Sequence, residues 1–317
     1  MRKDRSLEIP EKVRRTALAR GEDGLTWLAG LGELVDELER EWDLSVGHAF
    51  STGTEAFVAE ALSADGRQTV LKIAIPGLDP SHRELRTLLA ANGRGYVQVL
   101  RHNAGRGAML LERLGPQLHQ LGLPLDAQIE IICATLRDAW RPLPEGLQLM
   151  SGGEKASSLA AFIETTWAAL GKPCSERAID KARSFAEVRR QAFDPQNAVL
   201  AHGDAHAWNT LLVPAGGPQR FKLVDPDGLF IERAYDLCIS MREWPSELLM
   251  GDPLELGRRR CRQLARLSGV GPEPIWQWGF IESLSNGLLL KQKGLDKLAS
   301  EFLTVVSAWA IGDLLWT

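Results

Sequence analysis

The first part of the chain changes its hydrophobic period once, from that of helices to that of strands. Segments 10–20 and 25–42 repeat apolar residues every three to four positions, which predicts two amphipathic helices lying on the fold. Apolar and polar residues then alternate over 56–62 and 68–75, and Ala64–Arg67 between them has the composition of a hairpin turn. The pattern therefore predicts two helices followed by strands.

The pattern changes again after residue 112. Upstream of that point, one more helix and two short strands are predicted, over 79–91, 97–100 and 108–111. Beyond Leu114-Gly115 the apolar spacing is helical almost to the end of the chain. We therefore expect an α+β fold with two parts, a β-rich part with N-terminal helices at 1–112 and a larger, mainly helical part at 113–317.

Within the helical part, the spacing predicts separate helices joined by loops. Helices are expected over 126–139, 157–170 and 176–192, and a Pro- and Gly-rich loop over 142–153. Four tryptophans near the C-terminus are expected to pack in the core rather than to form a cofactor site: Trp276, Trp278, Trp309 and Trp316.

Composition narrows the choice of partners. The formal net charge is −4 at pH 7, without the basic excess typical of nucleic-acid-binding proteins. The four cysteines lie far apart and form no CxxC or zinc spacing, which favours reduced thiols. The N-terminus lacks the apolar segment of a signal peptide, and the longest apolar run, 302–311, is too short to cross a bilayer. We expect a cytoplasmic protein that binds neither nucleic acid nor membrane; its oligomeric state stays open.

The densest polar segment lies between two short apolar runs. It reads His202-Gly203-Asp204-Ala205-His206-Ala207-Trp208-Asn209, and a second acidic motif, Asp225-Pro226-Asp227-Gly228, follows it. A polar loop at the edge of a core is a common place for a functional site. Asp204, Asn209 and Asp225 are the groups that phosphoryl transfer needs, a base for the acceptor hydroxyl and oxygen ligands for Mg²⁺.

Two other interpretations of this loop are weaker. His202 and His206 are four residues apart, as in a helical zinc site, but Gly203 disfavours a helix and the glutamate of HExxH is missing. In a purely structural loop the histidines would bond backbone groups, and that interpretation stands if the loop is taken alone.

The phosphotransferase interpretation makes demands on the rest of the chain. Lys72 interrupts an apolar strand, so its ammonium needs an anion, and the glycine-bearing segment Gly47–Gly53 precedes it. Glu84 follows on a predicted helix, where it is either solvated or the partner that orients Lys72. With Asp225 downstream, all of these requirements are met in the right order, which favours a phosphotransferase.

Together these motifs resemble the aminoglycoside phosphotransferase family, which has the bilobal protein-kinase-like fold. Four segments carry the resemblance: Val70-Leu71-Lys72-Ile73, Leu110-Leu111-Glu112, His202–Asn209 and Val224–Gly228. The Asp-Pro-x-Gly form, followed by Glu232 and Tyr235-Asp236-Leu237, is similar to the streptomycin 6-phosphotransferase branch, also described as aminoglycoside/hydroxyurea resistance kinases. The chain departs from the pattern at Ala205, where many relatives have Leu, and in the segment Gly47–Gly53, which is not GxGxxG.

The resemblance implies an enzyme that uses ATP, with GTP as an alternative donor, and Mg²⁺. The N-terminal part would then be the nucleotide-binding lobe, with nucleotide-binding residues Ser51, Gly53, Lys72, Glu84, Glu112 and Leu114. Asp204 and Asn209 are expected to be catalytic, and Asn209 and Asp225 to bind Mg²⁺. His202 is expected to brace the loop.

The implied acceptor is a cationic, hydroxyl-bearing small molecule, in particular a streptomycin-like aminoglycoside, so that the protein would confer antibiotic resistance. The residues expected to contact it are Asp204, His206, Asp227, Glu232 and Asp236, with Glu282 as a further candidate. Each of these acids also fits a structural role, Asp236 most of all. Two alternatives stay open, a kinase of a metabolic sugar or amino alcohol and a nucleotide-binding pseudokinase.

Overall fold

The computed structural model describes residues 7–51, 53–77, 80–214 and 220–312, with the backbone alone at residues 80 and 81. The chain divides into two compact units, one ending at residue 115 and the other starting at residue 116. Each unit has its own strands and helices, and each buries its own apolar residues.

The N-terminal unit is built on a five-stranded antiparallel sheet. Its helices are α1 (Glu11–Leu18), α2 (Glu22–Trp42) and α3 (Pro80–Ala91). Its strands are β1 (Leu44–Ala49), β2 (Ala56–Ser63), β3 (Gln68–Ala74), β4 (Val99–Asn103) and β5 (Ala108–Glu112), in the order β1-β2-β3-β5-β4. The predicted elements are present, although β4 begins two residues late. Asp79, the predicted first residue of α3, lies outside the described residues.

Helix α2 packs its apolar stripe against this sheet. Leu31 and Leu38 of the helix lie in one core cluster with Phe57 and Leu71 of the strands. The helical period had placed those leucines on one face, so the predicted amphipathic helix is confirmed. Because side chains alternate across a strand, Lys72 projects from the other face of β3 than its neighbour Leu71 does.

The C-terminal unit is mainly helical and carries two small sheets. Its helices are α4 (Leu125–Ala139), α5 (Gly152–Ala169), α6 (Glu176–Gln191), α7 (Arg233–Arg242), α8 (Pro245–Leu248), α9 (Pro253–Ser268), α10 (Pro272–Gln292) and α11 (Asp296–Ile311). Its strands are β6 (Met150–Ser151), β7 (Ala198–Ala201), β8 (Thr210–Leu212), β9 (Phe221–Leu223) and β10 (Leu229–Glu232). Strand β10 lies between β6 and β7, and β8 pairs with β9. Strands of two to four residues are too short to show alternation, so the sequence did not predict these sheets.

Helix α5 begins at Gly152, five residues before its predicted start. The hydroxyl of Ser151 accepts a hydrogen bond from the backbone N–H of Glu154 at 3.2 Å, and the Glu154 carboxylate accepts one from the N–H of Ser151 at 2.7 Å. This capping box satisfies two backbone donors of the first turn and offsets the low helix propensity of the glycines. The prediction of a loop up to residue 153 was wrong because the capping pattern outweighs those glycines.

Three of the four tryptophans that were predicted to pack in the core of the C-terminal unit do so. Trp276, Trp278 and Trp309 are fully buried, and the rings of Trp276 and Trp309 lie 4.9 Å apart. Trp316 lies outside the described residues. No helix in the described ranges is long and apolar enough to cross a membrane.

Candidate active site

Two short strand pairs bring the segments 202–209 and 224–228 together. The first segment runs between β7 and β8, and the second between β9 and β10. Because β7 pairs with β10 and β8 with β9, both ends of the two segments are tied to each other. The N–H of Val224 donates to the carbonyl of Asn209 at 2.9 Å, and the N–H of Gly228 donates to the carbonyl of His202 at 3.3 Å. The acids of the second motif therefore lie beside the first loop.

His202 braces the first loop from inside, as predicted. The ring is fully buried. Its Nδ1 accepts the backbone N–H of Asp204 at 3.0 Å, and its Nε2 lies 2.8 Å from the carbonyl oxygen of Val224. These contacts fit a neutral ring with the proton on Nε2. The side chain of His202 thus connects the two segments.

Asp236 was predicted to contact the substrate, and the structure gives it a different role. Its carboxylate is fully buried and accepts the backbone N–H groups of His202 at 3.1 Å and Gly203 at 2.7 Å, and the indole N–H of Trp140 at 2.8 Å. A carboxylate with three internal donors has no surface left for a ligand. Asp236 instead fixes the start of the loop from helix α7.

Gly203 occupies a position that only glycine fits. Its φ is +90°, and a Cβ at this position would lie 2.8 Å from the Cβ of Asp227. The close approach of the two segments therefore depends on the missing side chain, and it brings Asp227 next to Asp204.

Both carboxylate oxygens of Asp204 have a basic partner. Oδ1 accepts a hydrogen bond from the guanidinium of Arg242, and Oδ2 lies 3.2 Å from Nε2 of His206. Burial by itself would raise the pKa of Asp204, but the hydrogen bond from His206 and the charge of Arg242 hold that pKa well below its usual range. Asp204 is therefore ionised, and its side chain keeps 30% of its surface exposed.

His206 faces Asp204 rather than standing apart as a separate ligand of the acceptor. Its Nδ1 accepts the backbone N–H of Trp208 at 3.2 Å, which turns Nε2 towards the carboxylate. Burial lowers the pKa of His206, but the bond to Asp204 and the charge of that carboxylate outweigh burial and raise it. Trp208 is half exposed and stacks on His119 with ring centroids 3.4 Å apart.

Arg242 is the part of the site that sequence reasoning missed, and its partner Glu282, a further candidate for the acceptor, is engaged inside the protein. Arg242, the last residue of α7, donates to Asp204 and, at 3.0 Å, to Glu282 of α10. Glu282 also accepts a hydrogen bond from the hydroxyl of Tyr235, and Lys155 lies 3.9 Å from it. A glutamate inside the apolar sequence of α10 was the available signal, because a buried acid requires a partner.

Asn209 and Asp225 are neighbours across the β8–β9 pair. The amide nitrogen of Asn209 donates to the carbonyl of Asp204 at 3.1 Å, which leaves the amide oxygen for a cation. Asp225 is exposed and has a φ of +56°, a strained conformation for a residue with a side chain. Such strain is concentrated at functional sites.

The two remaining predicted acceptor contacts, Asp227 and Glu232, lie in different surroundings. Asp227 is exposed, and its protein surroundings together with the charge of Asp204 raise its pKa. Glu232 is a correction: its carboxylate accepts from Arg189 at 3.1 Å and from the indole of Trp278 at 2.9 Å. It fastens β10 to α6 and α10, so its oxygens are not directed at an acceptor.

In the N-terminal unit, Lys72 and Glu84 form the ion pair that the sequence suggested. The Nζ of Lys72 lies 2.7 Å from Oε1 of Glu84, and both residues are buried. The carboxylate of Glu112 accepts the backbone N–H of Gln98 at 2.7 Å, which fixes the end of β5 ahead of the buried Leu114. Ser51 and Gly53 lie in the β1–β2 connection, whose residue 52 is outside the described ranges.

Known proteins resemble this chain in sequence and in fold. A model of the aminoglycoside/hydroxyurea antibiotic resistance kinase family matches residues 41–294. Streptomycin 6-kinase from Streptomyces glaucescens is 29% identical over 307 residues, covering 95% of this chain and 97% of its own. Hydroxyurea phosphotransferase from Kitasatospora aureofaciens is 30% identical over 285 residues, covering 86% of this chain and 80% of its own.

A solved structure confirms the expected kinase-like fold. The choline kinase LicA from Streptococcus pneumoniae matches with a TM-score of 0.60 and 14% identity, covering 89% of this chain and 99% of its own. At that identity the match speaks for the fold alone, because one fold serves several acceptors.

Proposed function

Because the chain belongs to the aminoglycoside/hydroxyurea antibiotic resistance kinase family, we propose that it transfers the γ-phosphoryl group of ATP to a hydroxyl of a streptomycin-like aminoglycoside and thereby confers resistance. The observation that carries the proposal is the meeting of Asp204, Asn209 and Asp225 on two adjoining loops. The matched family and the 29% identical streptomycin 6-kinase support the choice of acceptor.

Lys72 is the proposed ligand of the nucleotide phosphates. Its ammonium is held by Glu84 on the face of β3 opposite to the α2 core, so its position is set before a nucleotide binds. Ser51 and Gly53 of the β1–β2 connection are proposed to lie over the phosphates, and the backbone from Glu112 to Leu114 to bind the base.

Asn209 and Asp225 are the residues that would hold Mg²⁺. Among the residues that the structure describes, no group of three or more His, Cys, Asp or Glu side chains is arranged to hold a metal ion. Mg²⁺ fits such a sparse donor set, because it commonly takes one or two protein oxygens and completes its shell with water and nucleotide phosphates. When bound, it neutralises the charge that develops on the phosphates.

Asp204 is proposed to orient the acceptor. The hydroxyl oxygen forms a bond to the γ-phosphorus while the bond to the β–γ bridging oxygen breaks, and ADP leaves. Both oxygens of Asp204 already accept bonds from His206 and Arg242, so the carboxylate is a weak base. Its part is to accept the hydrogen bond of the hydroxyl and aim the oxygen in line, and the hydroxyl proton passes to solvent water as the new bond forms.

An exposed carboxylate beside Asp204 favours a cationic acceptor. Asp227 is exposed beside it, and Glu243 lies 3.6 Å from Nε of Arg242. A guanidinium or ammonium group on the acceptor would find a carboxylate at Asp227 without displacing an internal partner. We therefore assign Asp227 to acceptor binding.

Hydroxyurea is the second candidate acceptor, because a 30% identical relative is named hydroxyurea phosphotransferase. Hydroxyurea is uncharged and has no need of Asp227. The substitution Asp227→Asn separates the candidates: it is expected to raise KM for streptomycin about tenfold and to leave KM for hydroxyurea unchanged.

The test is an acceptor panel. Purified protein is incubated with ATP, Mg²⁺ and, in turn, streptomycin, an aminoglycoside without guanidinium groups, hydroxyurea, a sugar and an amino alcohol. ADP release and a mass gain of one phosphoryl group are the readouts. We expect phosphorylated streptomycin. If only another compound of the panel gains a phosphoryl group, that compound replaces streptomycin as the proposed acceptor. ATP binding without any product would favour a pseudokinase.

A further inference from the structure

Arg242, at the end of α7, lies between Asp204 and the acids of other elements. One of its terminal nitrogens donates to Oδ1 of Asp204, and the other donates to Glu282 at 3.0 Å. Its side chain is only 16% exposed, so solvent screens these contacts little. We propose that Arg242 is a positioning residue for Asp204, which fixes the plane of its carboxylate. This inference rests on the function proposed above.

Glu282 holds the far side of the guanidinium. It lies on α10, is 5% exposed, and accepts from Arg242 through Oε2. Its other oxygen accepts from the hydroxyl of Tyr235, a residue that is fully buried against α10. Because both oxygens of Glu282 accept hydrogen bonds, its carboxylate is fixed in place. The position of Arg242 is therefore set by α7 and α10 together.

The result at Asp204 is a carboxylate held from two directions. Arg242 binds Oδ1, and His206 lies 3.2 Å from Oδ2, so rotation about the last side-chain bond would break one contact or the other. Each oxygen keeps a lone pair for an incoming hydroxyl. A carboxylate fixed in this way needs no reorganisation when the acceptor binds.

A purely stabilising role is a weak explanation of this cluster. Burying charged groups costs desolvation free energy that their mutual attraction often fails to offset, so apolar residues of similar volume can stabilise a core better. The cluster surrounds the one carboxylate to which the proposed function gives the acceptor hydroxyl. Its location indicates that the cluster positions Asp204 rather than stabilises the fold.

The main test replaces Arg242 and then supplies its lost group. In Arg242→Ala, kcat with the preferred acceptor is expected to fall about 100-fold, the cost of a displaced reacting group, while KM for ATP stays at the wild-type value. Added guanidinium ion, at concentrations that leave the fold intact, should restore kcat saturably. The kcat of Arg242→Lys should lie between those of wild type and Arg242→Ala, because an ammonium lacks the two-pronged geometry that spans both acids. Arg183→Ala, which removes an exposed ion-paired arginine on α6, should leave kcat unchanged.

Each outcome decides between the alternatives. A folded Arg242→Ala with wild-type kcat overturns the inference, and one with higher kcat and lower acceptor KM would mean that Arg242 obstructs a cationic acceptor. If Arg242→Ala does not fold, Glu282→Gln decides, because it removes the anion behind Arg242 at constant volume. A several-fold loss of kcat supports positioning there, and wild-type kcat overturns it. A wild type that phosphorylates no acceptor overturns the proposed function and this inference together, whereas an active wild type with unimpaired variants overturns this inference alone.

Discussion

The ammonium of Lys72 lies 2.7 Å from the carboxylate of Glu84, and both side chains are about nine-tenths buried. Strand β3 and helix α3 meet at this pair, so a charge inside the sheet is balanced by one on the helix. The pair therefore has a structural consequence that can be measured separately from catalysis.

The substitution Glu84→Gln should weaken both folding and nucleotide binding. It removes the negative charge that faces the buried ammonium of Lys72, and breaking such a pair costs about 3–5 kcal/mol of the free energy of unfolding. KM for ATP should rise about tenfold, because Lys72 is no longer held in place. Chemical denaturation and steady-state kinetics check the two effects.

The control for that substitution is Glu41→Gln, which breaks an exposed pair with Arg106 in the same unit. Exposed pairs contribute about 0–1 kcal/mol, so this variant should behave as wild type. If Glu84→Gln unfolds at the same denaturant concentration as Glu41→Gln, the pair does not stabilise the unit.

Asp225→Asn should lower kcat without harming the fold. Asparagine tolerates the positive φ of this exposed position, so strain does not increase. Loss of one anionic ligand should reduce kcat about 100-fold and raise the Mg²⁺ concentration needed for half-maximal rate. A Mg²⁺ titration of initial rates checks this, with Asp180→Asn, at an exposed position on α6, as the control. An unchanged titration curve would remove Asp225 from the proposed Mg²⁺ site.

Gly203→Ala should destabilise the C-terminal unit and displace the proposed catalytic loop, 202–209. The new methyl group would meet Asp227 at 2.8 Å, and the φ of +90° is strained for alanine. We expect a loss of about 1–3 kcal/mol in the free energy of unfolding and a large fall in kcat. Gly153→Ala in helix α5 meets only ordinary contacts and should instead stabilise by about 0.5–1 kcal/mol. Equal effects of the two substitutions would contradict the account of Gly203.

The cysteines should make the protein less stable at high pH. Burial raises the pKa of Cys133 to about 12 and that of Cys174 to about 11. These neutral thiols contribute fully to stability below the unfolded pKa of about 9, and the contribution is lost as the pH rises towards the folded values. The urea midpoint should therefore fall between pH 8 and pH 10.5, and replacing both cysteines by alanine should reduce that pH dependence. A pH-independent midpoint in the parent protein would contradict the prediction.

The sequence pointed to the proposed catalytic set because its members stand in a fixed order along the chain. Lys72, Glu84, Asp204, Asn209 and Asp225 each stand out locally, either as a charge in an apolar run or as part of a dense polar motif. The fold itself followed from the change of hydrophobic period and from the family resemblance that these motifs carry.

The parts that the sequence did not predict depend on contacts between distant residues. Arg242 ends a helix, where a basic residue is ordinary, and it lies 38 residues from Asp204. Asp236 and Glu232 looked like available acids, but Trp140 and Arg189 reach them from other elements. Only tertiary structure shows which carboxylates already have internal donors, and hence which are left for a substrate.

The most direct measurement compares wild type with Asp204→Ala in the presence of ATP, Mg²⁺ and streptomycin, with the mass of the antibiotic as the readout. We predict that wild type adds one phosphoryl group and that Asp204→Ala, folded and still binding ATP, is slower by about 10²–10⁴-fold. Transfer by Asp204→Ala at the wild-type rate, or no phosphorylated streptomycin with wild type, would contradict the account.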